Sequence, residues 1–123
     1  MKNLIIALAI LPMFAFTGVE NLNSIIDAIK KGDASTLSTY FDQKVEIAIM
    51  DDEDVYSTDK AKQVLNAFFG KYKPASFKQV HQGTSRGNNG KYCIGNMNAG
   101  GKTFRVYIYM NGAKIQELRF DEE

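Results

Sequence analysis

Between residues 76 and 121 the chain alternates runs of β-forming residues with short clusters of glycine and asparagine, and this alternation restricts the fold more than any other feature. The runs at 76–85, 91–97, 103–110 and 114–121 are separated by Gly87-Asn88-Asn89-Gly90, Asn98-Ala99-Gly100-Gly101 and Asn111-Gly112. These are the residue types that supply positive φ in hairpin turns. Connections this short join antiparallel neighbours only, because a parallel crossover needs a dozen or more residues. The segment therefore predicts a four-strand antiparallel meander.

The half before it reads as helical. Leu22, Ile25, Ile26 and Ile29 recur at the spacing of one helix face, and Gly32 supplies a left-handed stop. Asp33 is placed to cap a second, short helix with an apolar stripe of Leu37, Tyr40 and Phe41. Alternating Val45, Ile47 and Ile49 predict a strand over 45–50. A third helix begins at Ser57 or Thr58, carries Ala61, Val64, Leu65, Phe68, Phe69 and Tyr72 inward, and stops before Pro74. The expected class is α+β, with three N-terminal helices packed on one face of a bent antiparallel sheet.

At 123 residues the chain holds one domain. Residues 1–18 are set apart: Lys2 precedes an apolar run of 13 residues from Leu4 to Phe16, followed by small residues. That layout predicts a secretory signal peptide, since a membrane span needs roughly 20 residues. Residues 19–123 then form the mature domain, periplasmic or secreted, with no membrane attachment after removal of the leader. Loss of Lys2 leaves 14 of the 15 basic side chains against 14 acidic ones, so no electrostatic footprint for nucleic acid exists. The single cysteine, Cys93, has no internal disulfide partner and reads as a small buried apolar residue. Asp51, Asp52, Glu53 and Asp54 lack the glycine and alternate spacing of a calcium loop and read as a solvated turn. No metal and no cofactor is expected.

The stretch HQGTSRGNNGKYCIGN, residues 81–96, contains the only histidine and the only cysteine. A two-residue loop at Asn88-Asn89 sets Thr84 opposite Cys93 and His81 opposite Asn96, so His81 and Cys93 point to opposite sides of the sheet. Longer or shorter loops leave them at least about 7 Å apart along the strands, too far for a catalytic dyad. A three-residue loop over 99–101 sets Ile94 opposite Val106 and Tyr92 opposite Ile108. The buried face then carries Tyr92, Ile94 and Phe104, with Phe77 and His81 beside them. A bulge after Asn111-Gly112 pairs Val106 with Leu118 and Phe104 with Phe120. Arg105, Tyr107, Tyr109, Glu117 and Arg119 occupy the opposite face.

The segments AIKKGDASTLSTYFDQKVEI (28–47), STDKAKQVLNAFFGKY (57–72), FKQVHQGTSRGNNGKYCIG (77–95) and FRVYIYMNGAKIQELRF (104–120) resemble a small uncharacterised family of secreted bacterial proteins. That family is assigned to the nuclear transport factor 2-like, or cystatin-like α+β cone, superfamily. The resemblance implies a strongly bent sheet wrapped around the first helix, with an apolar cavity at the open end. The superfamily holds isomerases, cyclases and dehydratases alongside members that only bind or dimerise, so fold does not select among them. No catalytic motif of its enzymes maps residue by residue onto this chain.

Three functions follow as expectations. The first is noncatalytic binding of a small apolar ligand in a cavity lined by Tyr40, Phe69, Phe77, Tyr92, Ile94 and Phe104, with His81 as polar anchor. The second is proton-transfer catalysis of isomerase or dehydratase type, with His81 as base and Tyr40 or Tyr92 as donor to an enolate. The third is protein interaction, above all homodimerisation, through Arg105, Tyr107, Tyr109 and Arg119 on the outer sheet face.

Overall fold

A computed structural model describes residues 17–84 and 90–123, with side chains from Asn21 onward. The leader expected over residues 1–18 lies almost wholly outside the described residues, as does most of the turn expected at Gly87-Asn88-Asn89-Gly90. In chain order the elements are α1 (Thr17–Lys31), α2 (Ala34–Ser38), β1 (Phe41–Ile49), β2 (Asp52–Ser57), α3 (Thr58–Lys71), β3 (Pro74–Thr84), β4 (Gly90–Ala99), β5 (Lys102–Asn111) and β6 (Lys114–Glu122).

Local chemistry explains the helix ends. Gly32 at φ +65° ends α1, where the Gly32 and Asp33 amides donate back to the Ile29 and Ala28 carbonyls at 3.0 and 2.9 Å. Such closure satisfies carbonyls that the helix leaves unpaired. Asp33 then caps α2: its carboxylate accepts from the Thr36 amide at 3.1 Å and from the Thr36 hydroxyl at 2.7 Å. Ser57 caps α3, its hydroxyl accepting from the Lys60 amide at 3.4 Å. The N-cap residues are the ones the sequence nominated.

The six strands make one sheet in the order β2-β1-β6-β5-β4-β3. Its neighbours are antiparallel except β1 and β6, which run parallel; these two are distant in sequence, so no hairpin dictates their direction. Helices and sheet enclose one core. Ile25 and Ile29 of α1, Leu37 of α2, and Leu65, Phe68 and Phe69 of α3 are buried against Val45, Ile47, Met97, Phe104, Ile108, Leu118 and Phe120. Phe68 meets Phe120 and Phe104 at ring-centroid separations of 4.8 and 5.4 Å. Tilted and edge contacts of this kind add to the area term of buried aromatics.

Of the acidic stretch read as a solvated turn, Asp51 lies in the turn after β1, but Asp52, Glu53 and Asp54 begin a strand. Residues 52–57 pair with Lys44–Ile49 along the sheet edge, and Asp52, Glu53 and Asp54 are exposed there. An edge strand tolerates charge on its open side, and charge there discourages pairing with another chain. Composition alone therefore did not separate this edge from a loop.

The larger correction concerns which way β4 faces. The hairpin joining β4 to β5 pairs Ala99 with Lys102 around a two-residue loop, Gly100-Gly101, at φ +58° and +80°. Two consecutive positive φ values suit the tightest hairpin turn. The three-residue loop expected at 99–101 is one residue longer, and a one-residue slip exchanges the two faces of a strand. So Cys93, Gly95, Met97 and Ala99 face the helices and are buried, whereas Tyr92 and Ile94 lie outside, opposite Tyr109 and Tyr107.

Strand β3 adds a bulge. Gln79 pairs with Gly95 and His81 with Ile94, so Val80 and His81 together oppose one residue. Phe77, ahead of the bulge, stays inside; His81, past it, goes outside with Ile94. Beyond the last turn the expected bulge exists: Tyr109 pairs with Glu117 and Met110 with Ile115, which leaves Gln116 of β6 as the extra residue. The bulge pairs Val106 with Phe120 and Ile108 with Leu118, two positions from the expected register, and this even shift leaves every side chain on its expected face.

Candidate functional site

On the helix side of β3 and β4, where α1 begins and the β5–β6 turn closes the sheet, lies a cavity of about 410 Å³. Its apolar lining is Leu22 of α1, Cys93 of β4 and Met110 of β5. Asn23, Gln79, Gln82, Thr84 and Lys91 supply polar groups, and Gly83, Tyr92 and Gly112 complete the wall. A volume in this range suits a small organic ligand.

The bulge at Val80 builds the polar wall. Three positions separate Gln79 from Gln82, which in a regular strand puts them on opposite faces. The extra residue restores them to one face, where the Gln79 Nε2 donates to the Gln82 Oε1 at 3.2 Å. Bulges re-aim side chains in this way beside binding sites. Cys93 forms part of the floor, fully buried, and burial pushes its thiol up from its ordinary pKa. A thiol held neutral is a weak nucleophile.

The residues nominated from sequence do not form one cavity. Phe69 and Phe104 are buried in the core, Phe104 packed edge-on to Phe68 and Tyr72. Phe77 is buried over Gly95. Tyr40 is half-buried at the junction of α2 and β1, where its carbonyl accepts from the Ile115 amide at 2.7 Å. His81 is exposed on the outer face, its Nε2 3.0 Å from the Tyr92 hydroxyl oxygen. Ile94 lies on that face between His81 and Tyr107. Of the proposed set only Tyr92 adjoins the cavity.

The missed lining residues are polar or small apart from Leu22 and Met110. The tight Gly100-Gly101 loop was the signal that would have turned Cys93 and Lys91 inward.

The outer face holds a continuous aromatic strip. His81 is bonded to Tyr92, and Tyr92 stacks on Tyr107 with ring centroids 6.3 Å apart and planes 27° apart. The Tyr92 ring also covers Gly83, where an added Cβ would fall 2.7 Å from the Tyr92 hydroxyl oxygen. Burial and, next, the Glu117 carboxylate raise the Tyr107 phenol above its ordinary pKa.

Toward β1 and β2 the face turns acidic. Arg119 lies 3.5 Å from Glu117, 3.6 Å from Glu53 and 4.0 Å from Asp121. Glu46 titrates above its usual range, first because it hydrogen-bonds Glu53 and next because it is shielded from water. Arg105 pairs with Glu123 at 3.1 Å. All four residues nominated for an interface, Arg105, Tyr107, Tyr109 and Arg119, stand on this outer face.

A second, more open depression of about 520 Å³ is bordered by Met50, Asp51, Asp121, Glu122 and Glu123. Among the described residues no group of histidine, cysteine, aspartate or glutamate side chains is placed to hold a metal.

A family model described as a domain of unknown function, DUF4783, matches residues 22–121. The chain belongs to the DUF4783 family. A DUF4783 protein from Bacteroides uniformis is 27% identical with a TM-score of 0.75, over 82% of this chain and 95% of that one. A DUF4783 protein from Bacteroides ovatus is also 27% identical, with a TM-score of 0.74 over 81% of this chain and 93% of that one. An NTF2-like protein of unknown function from Burkholderia xenovorans is 14% identical and superposes with a TM-score of 0.64, over 85% of this chain and 83% of that one. This DUF4783 domain thus has the NTF2-like α+β fold, with its helices packed on a six-strand curved sheet. Among curated proteins none matches the chain.

Proposed function

We propose that this DUF4783 protein acts outside the cytoplasm, after loss of residues 1–18, as a noncatalytic binder of a small ligand. The cavity of about 410 Å³ between the start of α1 and strands β3, β4 and β5 carries this reading. It combines an apolar floor with several polar groups on one side, the usual composition of a small-molecule site. The aromatic core at the other end of the sheet is filled, so a ligand has this end to occupy. The test is native mass spectrometry of the mature protein purified from its own periplasm. The expected result is a mass starting after the leader plus a co-purifying small molecule whose removal lowers the melting temperature. A single ligand-free mass, with no thermal shift across a panel of small amphiphiles, counts against it.

The proton-transfer alternative is less well supported. A base and a donor must converge on one substrate atom, whereas His81 and Tyr92 are bonded to each other on the exposed face.

A second reading concerns that face. Tyr92, Ile94, Tyr107 and Tyr109 are half-buried there, with no helix of the described residues over them. Glu46, Glu53 and Glu117 lie on the β1–β2 side of them and Lys78 on the β3 side, while Arg105 continues the β5 row beyond Tyr107. A twofold axis through the strip sets the acidic side of one copy against the basic side of the other, as an isologous dimer requires. This reading expects a dimer by sedimentation that Tyr107→Ala dissociates; a monomer at high concentration, unchanged by the substitution, removes it.

A further inference from the structure

We infer that the cavity takes an anionic amphiphile, a monocarboxylate with a compact apolar body, whose headgroup is held at Lys91. The inference rests on the proposed binding role of the cavity and names the chemistry of what enters it.

Among the described lining residues Lys91 is the only charged side chain, and no carboxylate is among them. Strand parity directs it inward: it pairs with Thr84 on one side and Met110 on the other, two positions from buried Cys93. None of the ion pairs among the described residues engages it. The other polar groups suit an acceptor-rich head. Thr84 offers a hydroxyl donor. Gln82 accepts from Gln79 through its oxygen, which leaves its own amide hydrogens to donate.

The apolar groups lie deeper. Cys93 is fully buried and Met110 nearly so, while Lys91 is exposed at the mouth. A ligand fits this gradient with its tail against Leu22, Cys93 and Met110 and its charge at the entrance. The lysine head then stays partly in water, as long amphipathic side chains do. A cationic head would meet the ammonium unpaired, and such like-charge contacts discriminate strongly.

The test compares three compounds that share one apolar body: octanoate, octan-1-ol and octylamine, titrated into the mature protein by calorimetry at low salt. Octanoate is expected to bind about tenfold more tightly than octanol, with octylamine weakest, and the octanoate advantage should shrink as salt is raised. Lys91→Met should bring octanoate down to the octanol level and leave octanol unchanged. Lys91→Arg should retain most of the preference, and Lys60→Met, exposed on α3 away from the cavity, should change nothing. If octanol or octylamine binds as tightly as octanoate, the anionic class is wrong while the cavity reading stands. If none binds at millimolar concentration, both fail. The headgroup series on the unmodified protein decides the matter even if a variant folds poorly.

Discussion

Alanine at Gly95 distinguishes the two possible facings of β4 by the sign of its effect. Its Cβ would fall 2.4 Å from Phe77 Cζ, 2.6 Å from Phe77 Cε1 and 2.9 Å from the Lys78 carbonyl oxygen. The ring can swing only within a filled core, and the carbonyl belongs to a paired strand. Forcing extra volume into such a site costs about 1–3 kcal/mol. The lower entropy of the unfolded alanine chain returns about 0.4–1 kcal/mol. The net expectation is a loss of about 1–2 kcal/mol, which lowers the melting temperature of a domain this size by roughly 4–16 °C.

With β4 turned over, the new methyl group would point to solvent, and the entropy gain alone would leave the protein equally or more stable. Urea denaturation, read as a midpoint change at constant slope, measures the difference. Phe77→Ala on its own costs about 3–5 kcal/mol. Combined with Gly95→Ala it should show a coupling of about 1 kcal/mol, because the second substitution no longer meets the ring. A stabilised Gly95→Ala, or strict additivity with Phe77→Ala, would refute both the inward facing of β4 and the cavity built on it.

Further outcomes follow from single contacts. Alanine at Gly101, where φ is +80° with open space around it, should cost about 1–2 kcal/mol for the left-handed backbone alone. Alanine at Gly100 should cost more, since its Cβ would also lie 3.0 Å from Tyr72 Cα; equal losses in chemical denaturation would contradict the close approach. Cys93 should resist a thiol reagent in the native protein and react at the rate of opening, because burial keeps the thiol neutral; complete modification within seconds would show that it is accessible. Glu46 has a folded pKa above its unfolded value, so its favourable contribution is present below the ordinary carboxylate range and is lost as pH rises through the folded pKa. Glu46→Gln should therefore raise the melting temperature at neutral pH and make no difference near about pH 3, where both side chains are neutral; a lowered melting temperature at neutral pH would contradict this.

Much of the fold was legible because its signals are local. Ser57, Asp33 and Gly32 mark helix ends through bonds to residues within five positions. The glycine and asparagine clusters mark hairpins in the same way. The candidate site was less legible because facing is a count of residues through successive turns. In β4 both alternating sets contain apolar residues: Tyr92 and Ile94 in one, Cys93, Met97 and Ala99 in the other. Bulk alone predicts the first set for the core, yet it is the smaller set that is buried. Space inside is already taken by Phe77 over Gly95 and by Phe104 beside Phe68.

By itself, then, the sequence determined the helices, the run of meander strands and the places of the turns near Gly100 and Gly112, since each depends on neighbours along the chain. Only tertiary structure decided that the Gly100-Gly101 loop holds two residues and that Val80 bulges out. The consecutive glycines are the local sign of the first choice, whereas the second has no marker in the residues around Val80 and follows from how β3 packs on β4. Together they send Lys91 and Gln82 inward and His81 outward, and so they decide which chemistry meets a ligand.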